Sequence, residues 1–367
     1  MTGDAAHESR PARSRFREIP ARAARLVLTL TALLIVYGLL APAASLRSRN
    51  PAADPSKGDA ALYRAVVHRM RSGDSYYVAA AAEHRVRGYP LFPFVTVRPP
   101  ALAMLTAPLG SDDYAVRLFR IIALLTAIAI TWTIQRRTGS PALTVLGGSL
   151  TMAALYAASY FAAFHEAWAS MLIVLSLALQ SRRTWLASVA CGLAALLMRE
   201  LSVAFVLVMF AFAANERRLR EAGAWLLSLA IGACALFYHA AQVAAVRVPA
   251  DLHSPGWVGL GGWPFVLRSL HEITILIFLP LWCCAVIVPL CIVGIAGCDD
   301  PIASRATLYS TGFMLALMIV SRPDNYYWGL MIGPVVLLGL LFSPLALRDL
   351  VVRATSVASS APVADRL

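Results

Sequence analysis

Residues 115–134 read AVRLFRIIALLTAIAITWTI, an apolar run that ends at Gln135-Arg136-Arg137. About 20 predominantly apolar residues are needed for a helix to cross the hydrocarbon core of a bilayer. Similar runs recur along the chain, which has 367 residues, of which 59% are hydrophobic and 14% charged. A soluble protein is far less apolar than this. The sequence therefore predicts an all-α fold, a polytopic membrane helical bundle.

Hydropathy predicts about ten transmembrane helices. Several of the apolar runs hold only about 14 residues, so we expect these helices to be extended by polar residues or to face a water-filled cavity. The predicted spans are residues 26–44, 115–134, 141–164, 167–180, 185–198, 201–214, 222–245, 273–297, 306–320 and 327–347.

Arginines fall at alternate ends of the predicted spans, and they account for much of the net charge of +12. By the positive-inside rule, this pattern predicts ten spans with both termini in the cytoplasm. Contact with lipid headgroups explains the basic balance better than nucleic acid does. The arginines that define the pattern are Arg136, Arg137, Arg182, Arg183, Arg217, Arg218, Arg220, Arg305, Arg348 and Arg353.

The chain divides into one membrane domain and two tails. Residues 1–22 are polar and arginine-rich, which predicts a disordered cytoplasmic tail, and residues 351–367 are expected to form a cytoplasmic tail at the other end of the domain. Residues 23–350 form the single transmembrane domain. The run 26–44 is either an uncleaved signal anchor, which we favour, or a signal peptide cleaved near Ala41-Pro42-Ala43.

The sequence contains no motif in a supporting context that would hold a nucleotide or a metal. Five of the six cysteines lie inside apolar runs and none forms a CxxC pair, so we interpret them as core residues. No P-loop, GxGxxG, HExxH or GxSxG element stands between the expected secondary structures. No cofactor and no metal site are predicted, although a divalent cation stays an open possibility.

The longest polar interval, about residues 45–113, is predicted to be the first extracytoplasmic loop. Within it Leu62, Val66 and Met70 recur at helical spacing opposite Arg64 and Arg71, the pattern of an amphipathic helix at a membrane surface. A second interfacial helix is predicted for residues 76–86. This loop also holds acidic and basic side chains that suit chemistry beside a bilayer.

Asp59 follows Gly58 at the predicted start of the first loop helix. One interpretation is an N-cap, in which the carboxylate accepts a hydrogen bond from a backbone N–H of the first turn. The other is a general base, because a carboxylate beside a bilayer is partly desolvated. The two roles are compatible, since a carboxylate has two oxygens.

Arg98 precedes Pro99-Pro100, and proline is favoured in the first turn of a helix. A guanidinium beside a helix start binds anions. The anion is either the phosphate of a membrane lipid or the phosphate of a lipid-linked substrate, and both interpretations use the same physics.

Other predicted external loops bring further polar residues to the face of Asp59. Arg199-Glu200 is either a satisfied turn at the surface or a buried pair that lines a cavity, and His165-Glu166 follows an aromatic series that is either core or part of the same site. Arg199 and Arg322 are candidates to assist Arg98. The candidate cavity-lining residues are Tyr63, Asp74, His165, Glu166, Glu200, Asn325 and Tyr326.

The order of these features resembles the C-type superfamily of integral-membrane glycosyltransferases, which use polyprenyl-phosphate sugars. The resemblance lies in the first span, the long loop that opens with Asp59, the proline-rich turn and the turn before the last span. Its motifs are Arg98-Pro99-Pro100-Ala101-Leu102, Ala115-Val116-Arg117-Leu118 and Asp324-Asn325-Tyr326-Tyr327-Trp328.

In that superfamily an acidic residue of the first external loop is the catalytic base, and basic residues near the Pro-Pro turn hold the donor phosphate. The resemblance therefore implies that Asp59 is the base and that Arg98 binds the phosphate of a polyprenyl-phosphate sugar. The acceptor would be a lipid or a glycan at the outer face of the membrane. The chain departs from the aminoarabinose and mannose transferase branches at Val97, where those branches have an acidic residue.

Two other classes of protein compete with this interpretation. A transporter or lipid flippase typically shows inverted repeats and broken helices at the midplane. We find no internal repeat, and the charged residues favour one face of the predicted bundle, which argues for the enzyme. A non-catalytic protein of envelope assembly is a third interpretation that the sequence leaves open.

Overall fold

The computed structural model describes residues 14–41 and 58–356. Over these ranges the regular structure is helical, and the only β-type pairings are two isolated bridges, Ser14 with Cys298 and Phe92 with His253. The described part of the chain thus confirms the all-α prediction. Short 3-10 helices join or extend many of the α-helices.

The α-helices are numbered along the described ranges. They are α1 (Ala21–Leu40), α2 (Asp59–Arg71), α3 (Tyr76–Val86), α4 (Ala101–Thr106), α5 (Asp112–Thr138), α6 (Pro141–Ala158), α7 (His165–Ala178), α8 (Trp185–Met198), α9 (Val203–Asn215), α10 (Leu219–Val246), α11 (Gly262–Ile273), α12 (Leu281–Gly297), α13 (Pro301–Ile319), α14 (Gly333–Leu337) and α15 (Ser343–Thr355).

Five of the described helices are long and apolar enough to cross a membrane: α1, α5, α6 with its extension to Phe161, α10 and α13. A sixth crossing is possible if Gly333–Leu341 and Ser343–Thr355, which are bent by 61° at their junction, form one broken span. These helices agree with a multi-pass membrane protein. The predicted count of ten exceeds this number because α7, α8, α9 and α12 are shorter than a full span.

The N-terminal segment is packed against the bundle from residue 14 onward. Phe16 is buried beside Val293 and Leu350, and Arg15 donates to the carbonyl of Cys298 (2.5 Å) and to Ser304 Oγ (2.9 Å). This differs from the disordered tail predicted for residues 1–22, because the aromatic ring and the guanidinium both find partners on the membrane helices. Residues 1–13 lie outside the described ranges.

Two other predicted boundaries, the cleavage site near residue 41 and the domain end at residue 350, lie near the limits of the described ranges. Most of the proposed cleavage site at Ala41-Pro42-Ala43 lies outside the described residues. Helix α15 continues to Thr355, past the predicted domain end at residue 350. Residues 357–367 also lie outside the described ranges.

Helix α1 packs against helices from the last third of the chain, chiefly α12 and α15. Helix α12 also crosses the 3-10 turn Leu338–Leu341 at very short distance, because a Cβ added to Gly294 would lie 1.9 Å from the carbonyl oxygen of Gly339. Glycine at this crossing allows the two backbones to touch. The two ends of the chain therefore form one packed unit.

Charged residues collect at two opposite ends of the bundle. At one end, which we call the arginine-rich end, Arg137 pairs with Asp300 and Arg305 pairs with Glu216. The same network reaches Arg17, which pairs with Asp349. The loops predicted to share one side of the membrane are thus in mutual contact.

The opposite end, which we call the loop end, is built from α2, α3, α4 and the turns that precede α7, α9 and α14. Helices stand at both positions predicted within the long polar interval, and α3 covers residues 76–86 as predicted. Helix α2 buries Leu62 and Val66 and exposes Arg64 and His68, which confirms its amphipathic pattern. The packing of this end brings the candidate residues of the first loop against those of the turn before α14.

Candidate functional site

Asp59 is the first residue of α2, and two tyrosine hydroxyls hold its carboxylate. Tyr89 donates to Oδ1 (2.8 Å) and Tyr327 donates to Oδ2 (2.6 Å). The N-cap residue is Gly58, whose φ of 94° favours glycine, and α2 has no side-chain cap. The N-cap prediction for Asp59 is therefore wrong, because its carboxylate points to the tyrosines instead of the first turn.

Arg98 is buried, with 8% of its surface exposed, and it is also held by tyrosines. Its Nε donates to Tyr63 Oη (2.8 Å) and its Nη2 donates to Tyr327 Oη (2.8 Å). Its carbonyl accepts a hydrogen bond from Tyr76 (2.5 Å). The hydroxyl of Tyr327 thus accepts from Arg98 and donates to Asp59, so that one oxygen atom links the two predicted functional groups.

These tyrosines stay neutral. Burial is the main cause that raises the pKa of Tyr63 well above its ordinary value, and burial together with Asp59 does the same for Tyr89. Within the described residues no carboxylate forms a salt bridge with Arg98. Its positive charge is therefore bonded to neutral hydroxyls and is not cancelled by an adjacent acid.

A cleft opens beside Arg98, between α2, α4, the start of α5 and the turn after α6, and its empty space of about 800 Å³ includes the open solvent at its mouth. Arg98, Tyr63 and His165 stand at its polar part. Exposed Tyr160 and the carboxylate of Asp112 also line it. The apolar side chains along its walls are Val66, Val67, Ala80, Leu102, Ala103, Ala115, Val116, Ala162 and Ala163.

Arg199 forms a separate charged group at the loop end. Only 1% of its side chain is exposed, its Nε donates to Glu166 Oε1 (2.6 Å), and its Nη1 pairs with Glu200. The guanidinium also lies over the ring of Trp328, 5.5 Å from the centroid. Arg199 is thus buried, but Glu200 is partly exposed and Arg199 lies outside the lining of the cleft, so Arg199-Glu200 matches neither of its two interpretations in full.

The remaining candidates fall into a buried set and a surface set. His165 and Asn325 are buried, and His165 is part of the cleft wall. Asp74 is bonded to Arg69 at the surface of α2 (2.7 Å). Arg322 pairs with exposed Asp324 (3.0 Å). Tyr326 lies under the guanidinium of Arg268, at 5.8 Å.

Sequence reasoning missed the tyrosines that organise the site, Tyr76, Tyr89 and Tyr327. Tyr327 was noted only as part of the turn before the last span. Its contact with Asp59 joins positions 268 residues apart, which no local pattern reveals. A surplus of tyrosine in otherwise polar loops was the one available signal. In the described residues no group of three or more His, Cys, Asp or Glu side chains is placed to hold a metal ion.

Comparison of the chain with protein family models, with curated proteins and with solved structures gives no match. The site is therefore interpreted from its own geometry. That geometry combines a carboxylate, an arginine without an acidic partner and an apolar cleft at one end of a membrane bundle.

Proposed function

We propose that the protein is a membrane-embedded glycosyltransferase of the C-type superfamily, which moves a sugar from a polyprenyl-phosphate donor to a lipid or glycan acceptor. The observation that carries the proposal is the hydroxyl of Tyr327, which joins Asp59 and Arg98 beside the apolar cleft. A base and a phosphate-binding group are the two groups that such a transfer requires. They come from distant parts of the chain and meet at one oxygen atom.

The donor lipid would occupy the cleft, with its prenyl chain against the apolar walls and its phosphate at Arg98. In the structure the guanidinium is bonded to the hydroxyls of Tyr63 and Tyr327. A phosphate carries the opposite charge and accepts two parallel hydrogen bonds from a guanidinium, whereas the hydroxyls are neutral, so a phosphate displaces these hydroxyls. Binding of the donor would then release Tyr327 from Arg98.

The acceptor would approach from the side of Asp59. Each carboxylate oxygen accepts one hydrogen bond from a tyrosine and keeps a lone pair for another. Asp59 takes the proton of the acceptor hydroxyl while the oxygen attacks the anomeric carbon. The bond from that carbon to the phosphate oxygen breaks, its electron pair leaves with the lipid phosphate, and Arg98 stabilises this charge. A single displacement inverts the configuration at the anomeric carbon.

The proposed topology places the arginine-rich end in the cytoplasm of a bacterium and the site at the outer face of the inner membrane. It holds if the shorter helices also cross, which gives ten spans with both termini inside. Reporter fusions at Arg137, Arg183 and Arg220 would then report a cytoplasmic position, and fusions at Ser75 and Asp251 an external one. A cytoplasmic signal at Ser75 would contradict the proposed location of the site.

The substitution Asp59→Asn tests the mechanism. Asparagine keeps the size of the side chain and one acceptor oxygen but cannot take up a proton, so sugar transfer should fall by at least ~100-fold while donor binding persists. The assay uses purified protein in nanodiscs with radiolabelled short-chain polyprenyl-phosphate mannose, glucose and arabinose. Asp74→Asn is the matched control, because Asp74 bonds only to Arg69 at the surface. Wild-type turnover in Asp59→Asn would remove Asp59 as the base.

A further inference from the structure

His165 is a polar side chain of the cleft for which the proposed mechanism has no role. It is the first residue of α7, only 4% of its surface is exposed, and it lines the cleft. The ring of Tyr63 meets it edge-on, with centroids 5.2 Å apart. The carbonyl of Pro99 lies beside the imidazole, but neither ring nitrogen has a hydrogen bond of normal geometry within the described structure.

Other buried polar atoms of the described residues also lack a partner, but among them His165 alone lines the cleft. Two other buried histidines at the same end have partners. His84 Nδ1 bonds to the carbonyl of Pro90 (2.9 Å), and His239 bonds to the carbonyl of Val97 (3.0 Å) and to Tyr77 (3.3 Å). Buried polar groups are nearly always satisfied, so an exception that lines a cleft points to a ligand. His165 is therefore prepared for a polar group that enters the cleft.

The protonation state of His165 indicates which group that is. His165 lies outside the helices long enough to span the membrane, and burial, Arg98 and Arg199 all lower its pKa. The neutral ring has one N–H donor and one acceptor nitrogen. A phosphate diester has only acceptors and would leave that nitrogen unpaired. A hydroxyl group both donates and accepts, so it satisfies either ring nitrogen.

We propose that His165 binds a hydroxyl group of the donor sugar, next to the phosphate site at Arg98. His165 would then select donors that carry a hydroxyl at the position of the sugar ring that faces it. Tyr63 assists, because the donor phosphate replaces it on Arg98 and leaves its hydroxyl, on a ring that contacts His165, to bond to the same sugar. This inference rests on the proposed function and adds to it the feature by which the sugar is recognised.

The test compares wild-type protein with His165→Phe, which keeps a ring of similar size and removes both nitrogens. The donors are short-chain polyprenyl-phosphate mannose, glucose and arabinose, together with their monodeoxy analogues. At one position of the sugar ring, the kcat/KM of the wild type should be roughly 10- to 100-fold higher for the hydroxylated donor than for its deoxy analogue. In His165→Phe this ratio should fall to near one, through loss of rate with the hydroxylated donor alone.

Two further variants separate recognition from folding. His165→Gln keeps a donor and an acceptor and should restore part of the preference, whereas a merely structural role would lower the rates of both donors equally. His68→Gln is the control, because His68 is exposed on α2. Unchanged ratios in both His165 variants would overturn the inference, and the transfer reaction itself would stand.

A wild-type protein that transfers none of these sugars counts against the proposed function, and a binding measurement then decides on His165. Intrinsic tryptophan fluorescence would follow titration with polyprenyl phosphate and with each polyprenyl-phosphate sugar. The inference predicts that the sugar strengthens binding to the wild type and not to His165→Phe. Equal strengthening in both proteins, or none in either, would overturn it.

Discussion

Two buried arginines at opposite ends of the bundle have different partners. Arg305, at the arginine-rich end, donates to the carboxylate of Glu216 (2.6 Å) and to the carbonyl of Pro301 (2.9 Å). Arg98, at the loop end, donates to two tyrosine hydroxyls, and in the described part of the chain no acid pairs with it. A guanidinium that an acid neutralises serves the fold. One that neutral hydroxyls hold keeps its charge available for an anion that arrives from outside.

The largest loss of stability is expected from substitution of Arg199. Acids neutralise this arginine, as they do Arg305, although it lies at the loop end. Arg199→Met would leave Glu166 buried without its partner and should lower the free energy of unfolding by roughly 3–5 kcal/mol. Arg98→Met strands no acid and should cost less than half as much. Unfolding by SDS in mixed micelles measures both. Equal losses in the two variants would show that the distinction between the two types is wrong.

Acid should loosen the loop end through His84. Burial lowers the pKa of His84 to about 4, whereas in the opened segment the pKa returns to its ordinary value of 6.5. The opened state therefore gains the proton first as the pH falls. The local stability is complete above pH 6.5 and decreases towards pH 4, by up to about 3 kcal/mol.

Hydrogen exchange of α3 at pH 7 and pH 4.5, corrected for the intrinsic rates, measures this loss. The first turns of α10 at the arginine-rich end serve as the internal reference. His84→Gln removes the titrating group and should remove the difference in pH response between the two regions. A response that persists in this variant would assign it to another group.

Replacement of arginine by lysine should affect donor affinity differently at Arg98 and at Arg305. Arg98→Lys keeps the charge but loses the planar fork, so donor affinity should weaken by roughly 1–3 kcal/mol. The same replacement at Arg305 should leave donor affinity unchanged, because Arg305 lies at the other end of the bundle. Titration with a short-chain polyprenyl phosphate measures both variants. An unchanged affinity in Arg98→Lys would place the phosphate elsewhere.

The smallest effect is expected at Arg322, which the sequence made a candidate for the donor phosphate. The side chain pairs at the surface with Asp324, which is mostly exposed. Exposed pairs contribute about 0–1 kcal/mol, so Arg322→Ala should change stability and donor affinity by no more than this. A larger loss of donor affinity would return Arg322 to the site.

Local patterns were enough to predict many of the helices. Residues 185–198 and 76–86 were predicted with the bounds of α8 and α3, because apolar periodicity and end signals are properties of neighbouring residues. The span predicted for 327–347 is instead a series of short helical pieces. Pro334 and Pro344 each open a new piece, and hydropathy averages over such breaks.

The site was predictable only in part, because residues far apart in the sequence hold it together. Asp59 and Arg98 stand in recognisable local contexts, a helix start and a proline-rich turn. The residues that hold them were not predictable, since Tyr327 lies 268 positions from Asp59 and 229 from Arg98. In the same way Glu200 is adjacent to Arg199, but only the packing of α7 adds Glu166.

The contact of α1 with α12 and α15 has a consequence for biosynthesis. Roughly 240 residues separate the end of α1 from the start of α12. At about 5–20 residues per second, α1 waits roughly 10–50 s in the bilayer before α12 is made. During that time lipid or an insertion factor must cover the surface of α1 that later meets α12. The ribosome therefore finishes the first and last helices far apart in time, although the folded protein holds them side by side.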